Sequence, residues 1–378
     1  MKLSRAVQLS IASWVVAVPI VSAQDKVSSA PLNDYPVYQL VFKPAPPITP
    51  LRALALFSPP VLCAQDGTAY FGSPEPPTYL ERTVYSLNST EQRVFTYRDL
   101  QELHEPHFRG FFPGVSATFV LVNATQDSDP SLDTVMPKGA VSPSEDFADN
   151  RHDFLLKFEN SGRFLRAIQL PSELRFYRFA ELEDGSFVAM GIDRASAAAR
   201  LSLLTSDGKI VRDLPPPSGL AVSSNLPEGK IADRRALAEA ASRLTTWFFA
   251  PVRHKVLLYA TGIDAPVLEI SPDGVTREVQ IAVPKGFSID GFVSSNDLWL
   301  VRYARKIAAE FGKPVIRRSA NGDYFLYEVD FNDGRFRREL SMASIPNLGI
   351  ACEHGGTLTG YSFSRDSKYI PFTANLPQ

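Results

Sequence analysis

The chain has 378 residues, of which 44% are hydrophobic and 21% are charged. This is ordinary globular composition, sufficient for one large or two medium domains. The 39 basic and 41 acidic residues leave a formal charge of −2 and form no long basic run, so nucleic acid is not an expected partner. The 30 prolines and 25 phenylalanines favour many short strands and turns over a helical bundle.

The first 23 residues have the pattern of an export signal. Lys2 and Arg5 give a positively charged end, an apolar run follows from Ile11 to Val21, and Val21-Ser22-Ala23 offers small residues for cleavage. A run of about 11 residues is too short to cross a bilayer, which needs about 20. We therefore expect the segment to be cleaved and the mature protein to be secreted or periplasmic, without a membrane span.

The rest of the chain repeats one pattern. Two alternating apolar runs joined by a turn that contains glycine are typical of a β-hairpin. The pattern is clearest in Asp153–Leu170, Ala199–Leu214, Ala265–Ile281 and Tyr324–Leu340. An earlier strand or hairpin precedes each of these, at Val115–Asn123, Phe176–Ile192, Thr245–Ala260 and Phe287–Tyr303, and a further pair is formed by Ala53–Gly72 and Arg82–Tyr97. We therefore predict successive units of four strands.

The spacing of the hairpins favours propeller blades. Gly162 and Gly208 are 46 residues apart, within the period of four-stranded blades. Longer spacings elsewhere coincide with an acidic loop (Ala124–Asn150), a helix-like segment (Glu228–Trp247) and a basic stretch (Ile307–Ala320). We expect the helix to lie on the ring of blades, and a partner-binding helix is the alternative.

The last unit lacks a strand. Gly349–Phe363 gives one hairpin and Ser367–Phe372 a third strand, whereas Tyr35–Phe42 alternates like a strand and has no adjacent partner. Pairing Tyr35–Phe42 with the last unit would close a ring and cover an exposed sheet edge. After a linker over 24–34, we therefore predict a single all-β domain over 35–378. It is a six-bladed β-propeller closed by an N-terminal strand that completes the last blade, with one short helical insertion.

The turns of three units share a sequence. Gly162–Arg166, Gly208–Arg212 and Gly334–Arg338 each contain glycine, a basic residue, an apolar residue and a later arginine, whereas the fourth unit departs with Gly274-Val275-Thr276-Arg277. In these hairpins the chain resembles the secreted six-bladed β-propellers of the NHL-like or TolB-like kind. The resemblance covers nearly all of the mature chain and implies the architecture. It implies no single activity, because that family includes lactonases, lyases, receptors and inert scaffolds.

Cys63 and Cys352, the two cysteines of the chain, fall in the first and sixth units. These units are neighbours in a closed ring, and an exported protein meets oxidising conditions, so a disulfide across the seam is one expectation. Two buried free thiols are the alternative, because matching positions on adjacent blades can lie too far apart for the bond.

Two groups of residues have a spacing that suits a metal ion. His104 and His107 could share zinc, yet no third ligand is obvious nearby, so we expect two surface histidines in a linker between units. The acidic loop contains Asp127-Ser128-Asp129, but Leu132 stands where a calcium loop requires glycine. We expect a solvated loop and no metal, with a weak Ca²⁺ site as the alternative.

Asp290, Glu353 and His354 are the candidate site residues. Each falls where an innermost strand meets its turn, and propeller ligands bind such residues at the mouth of the central channel. Each could equally be a satisfied turn residue. The sequence has no dinucleotide fingerprint, phosphate-binding loop, HExxH or GxSxG motif, so nucleotide-dependent chemistry, HExxH metalloproteolysis and elbow-type serine hydrolysis are not expected.

The leading hypothesis from the sequence is an exported monomeric propeller that binds an unidentified protein or small-molecule ligand through one face and catalyses no reaction. The runner-up is a metal-dependent hydrolase or lyase, similar to the lactonases of the resembled family, in which Asp290, Glu353 and His354 reach toward the channel. A purely structural envelope component is a third hypothesis, which the sequence does not separate from the first.

Overall fold

The structure, a computed structural model, describes most of the chain from residue 35 onward. The described residues are 35–44, 62–64, 67–72, 81–86, 92–96, 103–125, 151–220, 232–252, 254–262, 265–293, 295, 298–305, 307–310, 313–315, 324–342, 349–363 and 369–377. The predicted export signal (1–23), the linker (24–34) and most of the acidic loop lie outside them. Among the described residues nearly all regular structure is β-strand, and α1 (Arg234–Leu244) is the one helix.

Most strands form four-stranded antiparallel sheets made from consecutive strands. Sheet 1 contains β3 (Leu62–Cys63), β4 (Ala69–Gly72), β5 (Glu81–Ser86) and β6 (Gln92–Thr96). Sheet 2 contains β7 (His104–Pro113), β8 (Thr118–Thr125), β9 (Arg151–Phe158) and β10 (Phe164–Gln169). Sheet 3 contains β11 (Leu174–Glu181), β12 (Phe187–Asp193), β13 (Ala199–Leu204) and β14 (Ile210–Leu214).

The second half of the chain continues the same order. Sheet 4 contains β15 (Trp247–Val252), β16 (Lys255–Ala260), β17 (Val267–Ile270) and β18 (Thr276–Val279). Sheet 5 contains β19 (Phe287–Val293), β20 (Trp299–Arg305), β23 (Tyr324–Val329) and β24 (Phe336–Met342), with a separate hairpin of β21 (Ile307–Glu310) and β22 (Lys313–Val315). Sheet 6 contains β25 (Gly349–His354), β26 (Thr357–Phe363) and β27 (Tyr369–Asn375).

Two short N-terminal strands join the last two sheets. β1 (Val37–Leu40) runs parallel to β24 at the edge of sheet 5, with Val37 opposite Glu339. β2 (Lys43–Pro44) runs antiparallel to β27 in sheet 6. An N-terminal strand is therefore the fourth strand of sheet 6, but this strand is β2 (Lys43–Pro44). The prediction that it lies within Tyr35–Phe42 was wrong, because Val37–Leu40 extends sheet 5.

Side-chain packing explains this position of the N-terminal strand. The ring of Tyr35 lies 5.6 Å from that of Tyr327 and 5.6 Å from that of Phe336, both in sheet 5. Leu40 is buried in the hydrophobic cluster that sheets 5 and 6 share. These contacts remove apolar surface from water, which favours the position of the strand beside sheet 5.

The first strands of the sheets lie next to one another. β7 contacts β3 and β11, β11 contacts β15, β25 contacts β19 and β3, and sheet 4 meets sheet 5 through β16 and β19. Followed in order, these contacts lead from sheet 1 through sheets 2 to 6 and back to sheet 1. A nearly all-β chain built from such sheets supports a β-propeller fold.

Hydrophobic clusters fill the spaces between neighbouring sheets. The rings of Phe119 in sheet 2 and Phe187 in sheet 3 are 5.1 Å apart, edge to face, within a cluster that both sheets share. All eight residues of β8, a second strand, are buried, whereas most residues of β14, a fourth strand, are at least partly exposed. The fourth strands therefore form the outer edge, and their charged side chains protect it from pairing with other chains.

Arginines in the fourth strands connect each sheet to the next. Arg212 of β14 donates to the carbonyl oxygen of Asp273, in the outer turn of sheet 4, at 2.5 Å. Arg277 of β18 donates to the carbonyl oxygen of Phe331, in the outer turn of sheet 5, at 2.6 Å. The same kind of bond runs from Arg166 to Ser206 and from Arg338 to Pro377. We call these four hydrogen bonds the inter-sheet arginine bonds.

The inter-sheet arginine bonds explain the shared turn sequence. In three units the arginine stands four residues after the turn glycine, as Arg212 does after Gly208. In the fourth unit Arg277 stands three residues after Gly274 and makes the equivalent bond. The fourth unit therefore differs from the shared sequence in the position of its arginine but keeps the hydrogen bond to the next sheet.

The helix α1 packs between sheets 3 and 4. Asp233 caps it, because its side chain accepts a hydrogen bond from the backbone N–H of Ala236. Leu237, Ala240 and Leu244 are buried in the cluster that those sheets share. The helix is shorter than the predicted segment Glu228–Trp247, since Trp247 begins β15.

The strand β7 corrects another expectation. His104 and His107 were expected in a linker between units, but both lie in β7, paired with Thr125 and Asn123 of β8. Pro106 between them coincides with an irregularity in this pairing, because proline has no N–H for the ladder. Because the proline interrupts the alternation of apolar and polar residues, the sequence pattern did not predict β7.

Candidate functional site

Four first strands carry a bulge. The pairing of the first strand with the second slips by one residue at Arg109 in β7, Tyr177 in β11, Asp290 in β19 and Ala351 in β25. A bulge leaves one residue out of the ladder and changes the direction of its side chain, and bulges are frequent beside functional sites. Three of these four extra residues are polar, and two of them, Arg109 and Tyr177, lie on strands that contact each other.

Arg109 lies against the neighbouring sheet. Its guanidinium carbon is 5.0 Å from the centre of the Tyr177 ring, within the range of a cation–π interaction. Burial lowers the pKa of Arg109, and the charge of Arg175 lowers it further. The side chain nevertheless keeps partial contact with solvent.

Arg178 lies beside Arg109, in β11. Its Nε donates to the carbonyl oxygen of Trp247 at 3.2 Å, its Nη1 donates to that of Tyr177 at 3.0 Å, and its guanidinium carbon is 5.1 Å from the centre of the Phe248 ring. Burial lowers the pKa of Arg178 to about 10, and the charge of Arg109 contributes in the same direction. Arg178 forms no ion pair with any acidic side chain among the described residues.

Asp290 lies at the other side of this group. Its carboxylate accepts a hydrogen bond from Nε of Arg302 at 2.5 Å, and Nη1 of Arg302 donates to the carbonyl oxygen of Ile350, in sheet 6, at 3.3 Å. A Cβ added at Gly291 would lie 3.6 Å from both Nη2 of Arg302 and the hydroxyl oxygen of Tyr259. Burial raises the pKa of Tyr259 to about 12, so its phenol stays neutral and can hydrogen-bond at physiological pH.

We call these six residues the arginine cluster: Arg109, Tyr177, Arg178, Tyr259, Asp290 and Arg302. The cluster lies beside the buried pair of Arg175 and Asp153, 2.5 Å apart. Among the described residues Arg302 pairs with Asp290, whereas Arg178 forms no ion pair. A partly desolvated cation is normally paired, so Arg178 is the member of the cluster most suited to a group from outside the chain.

The predicted site residues have three different surroundings. Asp290 belongs to the arginine cluster. Glu353 is buried and holds a turn, because its carboxylate accepts hydrogen bonds from the backbone N–H of Gly356 at 2.8 Å and from the hydroxyl of Ser295. His354 is exposed and lies against Gly67 of sheet 1. Glu353 thus has hydrogen bonds within its own turn and with Ser295, and neither Glu353 nor His354 belongs to the arginine cluster.

The two cysteines lie at the junction of sheets 1 and 6. Cys63 of β3 and Cys352 of β25 form a disulfide in the structure, with their Cα atoms 5.8 Å apart. Both are buried, and β3 and β25 are in contact. The bond therefore joins the first complete sheet of the chain to the last.

Among the described residues, no group of three or more histidine, cysteine, aspartate or glutamate side chains is close enough to hold a metal ion. No helix among those residues combines the length and the apolar character needed to cross a membrane.

Comparison with solved structures places the chain beside several proteins of low sequence identity. It is similar to the WD40 domain of Pan2 from Neurospora crassa, with 9% identity, 84% of this chain and 90% of that chain covered, and a TM-score of 0.39. It is similar to virginiamycin B lyase from Staphylococcus aureus, with 10% identity, 88% and 99% covered, and a TM-score of 0.37. It is also similar to a DUF4623 family protein from Bacteroides eggerthii, with 10% identity, 91% and 77% covered, and a TM-score of 0.42. Neither a protein-family model nor a curated protein sequence matches the chain.

Sequence analysis missed the arginines of this site, although a signal was present. Phe108-Arg109-Gly110-Phe111 and Ile289-Asp290-Gly291-Phe292 share the order apolar, charged, glycine, phenylalanine. In both segments the charged residue is the bulge residue of a first strand. A charged residue before glycine inside an apolar strand favours a bulge, and this recurrence would have identified Arg109.

Proposed function

We propose that the protein is an exported six-bladed β-propeller that binds a ligand at the arginine cluster and catalyses no reaction. Sheets 1 to 6 are its blades in this proposal. The circuit of first-strand contacts, the inter-sheet arginine bonds and the disulfide between sheets 1 and 6 support a closed ring. The exported location and the monomeric state are parts of the same proposal.

One observation carries the binding function. Arg178 is half-buried, yet its hydrogen bonds among the described residues go to the main-chain oxygens of Trp247 and Tyr177, and its other contact is the Phe248 ring. Burial of a charge without an opposite charge is unfavourable for folding. Such a residue is more readily explained by a ligand than by stability.

The alternative function, a metal-dependent hydrolase or lyase, is less well supported. It needs Asp290, Glu353 and His354 to act together, but Arg302 holds Asp290, and Ser295 and Gly356 hold Glu353. Carboxylates with these partners are poor candidates for metal ligands. Elemental analysis of the protein purified without chelators separates the two functions, since the hydrolase requires about one equivalent of bound metal.

A screen of ligands tests the proposal. Thermal unfolding of the mature protein would be followed with a library of small metabolites and short peptides that includes neutral, cationic and anionic members. We expect at least one compound to raise the melting temperature, with a smaller effect on Tyr177→Ala. Arg163→Ala serves as the matched control because Arg163 is 69% exposed and pairs with Glu159 in its own turn. A library without any stabilising compound would contradict the proposal.

A further inference from the structure

We propose that the disulfide between Cys63 and Cys352 controls the arginine cluster, so that its reduction by a dithiol weakens ligand binding there. This inference rests on the binding function proposed above and concerns the regulation of that site. The disulfide and the cluster meet at one strand, β25, which contacts both β3, the strand of Cys63, and β19, the strand of Asp290.

The strand β25 is attached to sheet 5 on both sides of Cys352. Two residues before Cys352, the carbonyl oxygen of Ile350 accepts a hydrogen bond from Nη1 of Arg302 at 3.3 Å. One residue after it, the carboxylate of Glu353 accepts a hydrogen bond from the hydroxyl of Ser295, in the turn between β19 and β20. The disulfide attaches the same short stretch to sheet 1. The position of β25 is therefore set from both neighbouring sheets.

Arg302 extends this connection into the arginine cluster. Its Nε donates to the carboxylate of Asp290 at 2.5 Å, and the side chains of Arg302 and Asp290 are only 14% and 12% exposed. A charged hydrogen bond that is shielded from water is strong, so the two side chains move together. A shift of the Ile350 carbonyl therefore changes the position of Asp290 as well as that of Arg302.

The bulge in β25 makes the position of this strand depend on the disulfide. Ala351, the extra residue, lies directly between Ile350, which binds Arg302, and Cys352. A bulge leaves one residue unpaired and the ladder locally disrupted, so the backbone here is held by its contacts with the neighbouring sheets. With the disulfide formed, the Cα atoms of Cys63 and Cys352 are 5.8 Å apart and the bulge is fixed. Once the bond is reduced, only the contacts with sheet 5 hold it.

Reduction of the bond is a thiol–disulfide exchange. The thiolate of a dithiol attacks one sulfur, the other cysteine leaves as a thiolate, and the second thiol of the reductant resolves the mixed disulfide. The protein gains two electrons and two protons as both cysteines become thiols, and the dithiol is oxidised to its own disulfide. We expect the first attack at Cys63, which is the more exposed of the two.

Amide hydrogen exchange of the mature protein, with and without dithiothreitol, tests the inference. In the reduced protein we expect exchange to be about fivefold faster or more, the lower end of ordinary coupling between sites, in β25 and also in β19 and β20, which carry Asp290 and Arg302. Exchange in β12 and β13 of sheet 3 should stay unchanged. Faster exchange in β25 alone, or in no strand, would overturn the inference. An equal rise in sheet 3 would overturn it too, because the disulfide would then hold the whole fold and not this site.

The equilibrium of the disulfide with dithiothreitol gives a second measurement. If the disulfide stabilises the hydrogen bond between Arg302 and Ile350, that hydrogen bond stabilises the disulfide by the same free energy. Arg302→Lys keeps the charge but loses the planar group that binds Asp290 and Ile350 together, so we expect its equilibrium constant for reduction to rise about fivefold. Arg335→Lys, at an exposed position in the outer turn of the same sheet, should match the wild type. Equal constants for Arg302→Lys and the wild type would contradict the inference.

Both measurements are made without a ligand, so they separate the inference from the proposed function. If both results are as expected but no compound of the thermal screen binds, the disulfide still controls Asp290 and Arg302, and the binding function is wrong. If a compound of that screen binds equally to the oxidised and the reduced protein, the binding function stands and the inference is wrong.

Discussion

Arg212 in the last strand of sheet 3 donates a hydrogen bond to the carbonyl oxygen of Asp273 in the outer turn of sheet 4. The bond joins residues 61 positions apart, and three other arginines repeat it along the chain. Through this hydrogen bond, an arginine that belongs to the turn sequence of one sheet contacts the neighbouring sheet.

Replacing Arg212 with alanine should therefore weaken the contact between sheets 3 and 4. We expect the free energy of unfolding to fall by about 1 kcal/mol, the usual contribution of one hydrogen bond. Urea denaturation followed by tryptophan fluorescence measures it. Arg335→Ala is the matched control, because Arg335 is 82% exposed and contacts Asp333 in its own turn. Equal losses in the two variants would show that the bond contributes nothing.

A substitution at Gly334 would show how closely the outer turn of sheet 5 approaches sheet 4. Its φ is 72°, and a Cβ added there would overlap the carbonyl oxygen of Gln280 in sheet 4. Gly286 has a φ of 84° but no atom within 4 Å of the added Cβ. Gly286→Ala should lose about 1 kcal/mol from backbone strain alone, whereas Gly334→Ala should lose at least about 2 kcal/mol because of the added overlap. Similar melting temperatures of the two variants would contradict this packing.

The four-stranded units could be predicted from the sequence because their signals are local. Alternating apolar residues and turns such as Ser206-Asp207-Gly208 lie within a few positions of each other, so each hairpin is specified by its own segment. The position of Val37–Leu40 could not be predicted in this way. Its partner Glu339–Met342 lies some three hundred residues away, and the choice between two open sheet edges depends on the packing of Tyr35.

The candidate site was only partly predictable. Asp290 was selected from its place near a turn, and it does lie in the arginine cluster. Arg109 was missed because a bulge depends on how two strands pair, which hydrophobic alternation does not reveal. Arg178 was missed for the same reason, since it directly follows the bulge residue Tyr177. Glu353 was selected by the same rule as Asp290, yet its hydrogen bonds with Ser295 and Gly356 make it part of a turn.

The disulfide between Cys63 and Cys352 should hold the two ends of the structure together. It closes a loop with a sequence separation of 289 residues. For so long a loop, loss of the bond in the double variant Cys63→Ser/Cys352→Ser should cost roughly 2–5 kcal/mol of unfolding free energy. Denaturation with and without reductant measures it, and reductant should leave the double variant unchanged. Two alkylatable thiols in the unreduced wild-type protein would contradict the bond.

The raised pKa of Tyr259 makes the free energy of unfolding depend on pH in the alkaline range. Its pKa is raised to about 12 by burial, although the nearby charges of Arg302 and Arg178 oppose the rise and that of Asp290 adds to it. An unfolded tyrosine ionises near pH 10, so the folded state holds this proton more tightly than the unfolded state. Its contribution is complete below pH 10 and is lost as pH rises toward 12.

Tyr259→Phe should therefore lose less stability than the wild type between pH 10 and pH 12. The measurement is unfolding free energy against pH, with tyrosinate absorbance recorded in parallel. Tyr259→Phe and wild-type curves of the same slope would contradict the assigned burial.

The central claim is that Arg178 serves ligand binding and not folding. The most direct measurement is the unfolding free energy of Arg178→Gln against wild type, both without ligand, because glutamine can still donate a hydrogen bond to a main-chain oxygen. We predict that Arg178→Gln is as stable as the wild type or more stable, since a half-buried cation without a carboxylate partner among the described residues is removed. A loss of about 3 kcal/mol or more, as when a buried ion pair is broken, would contradict the claim.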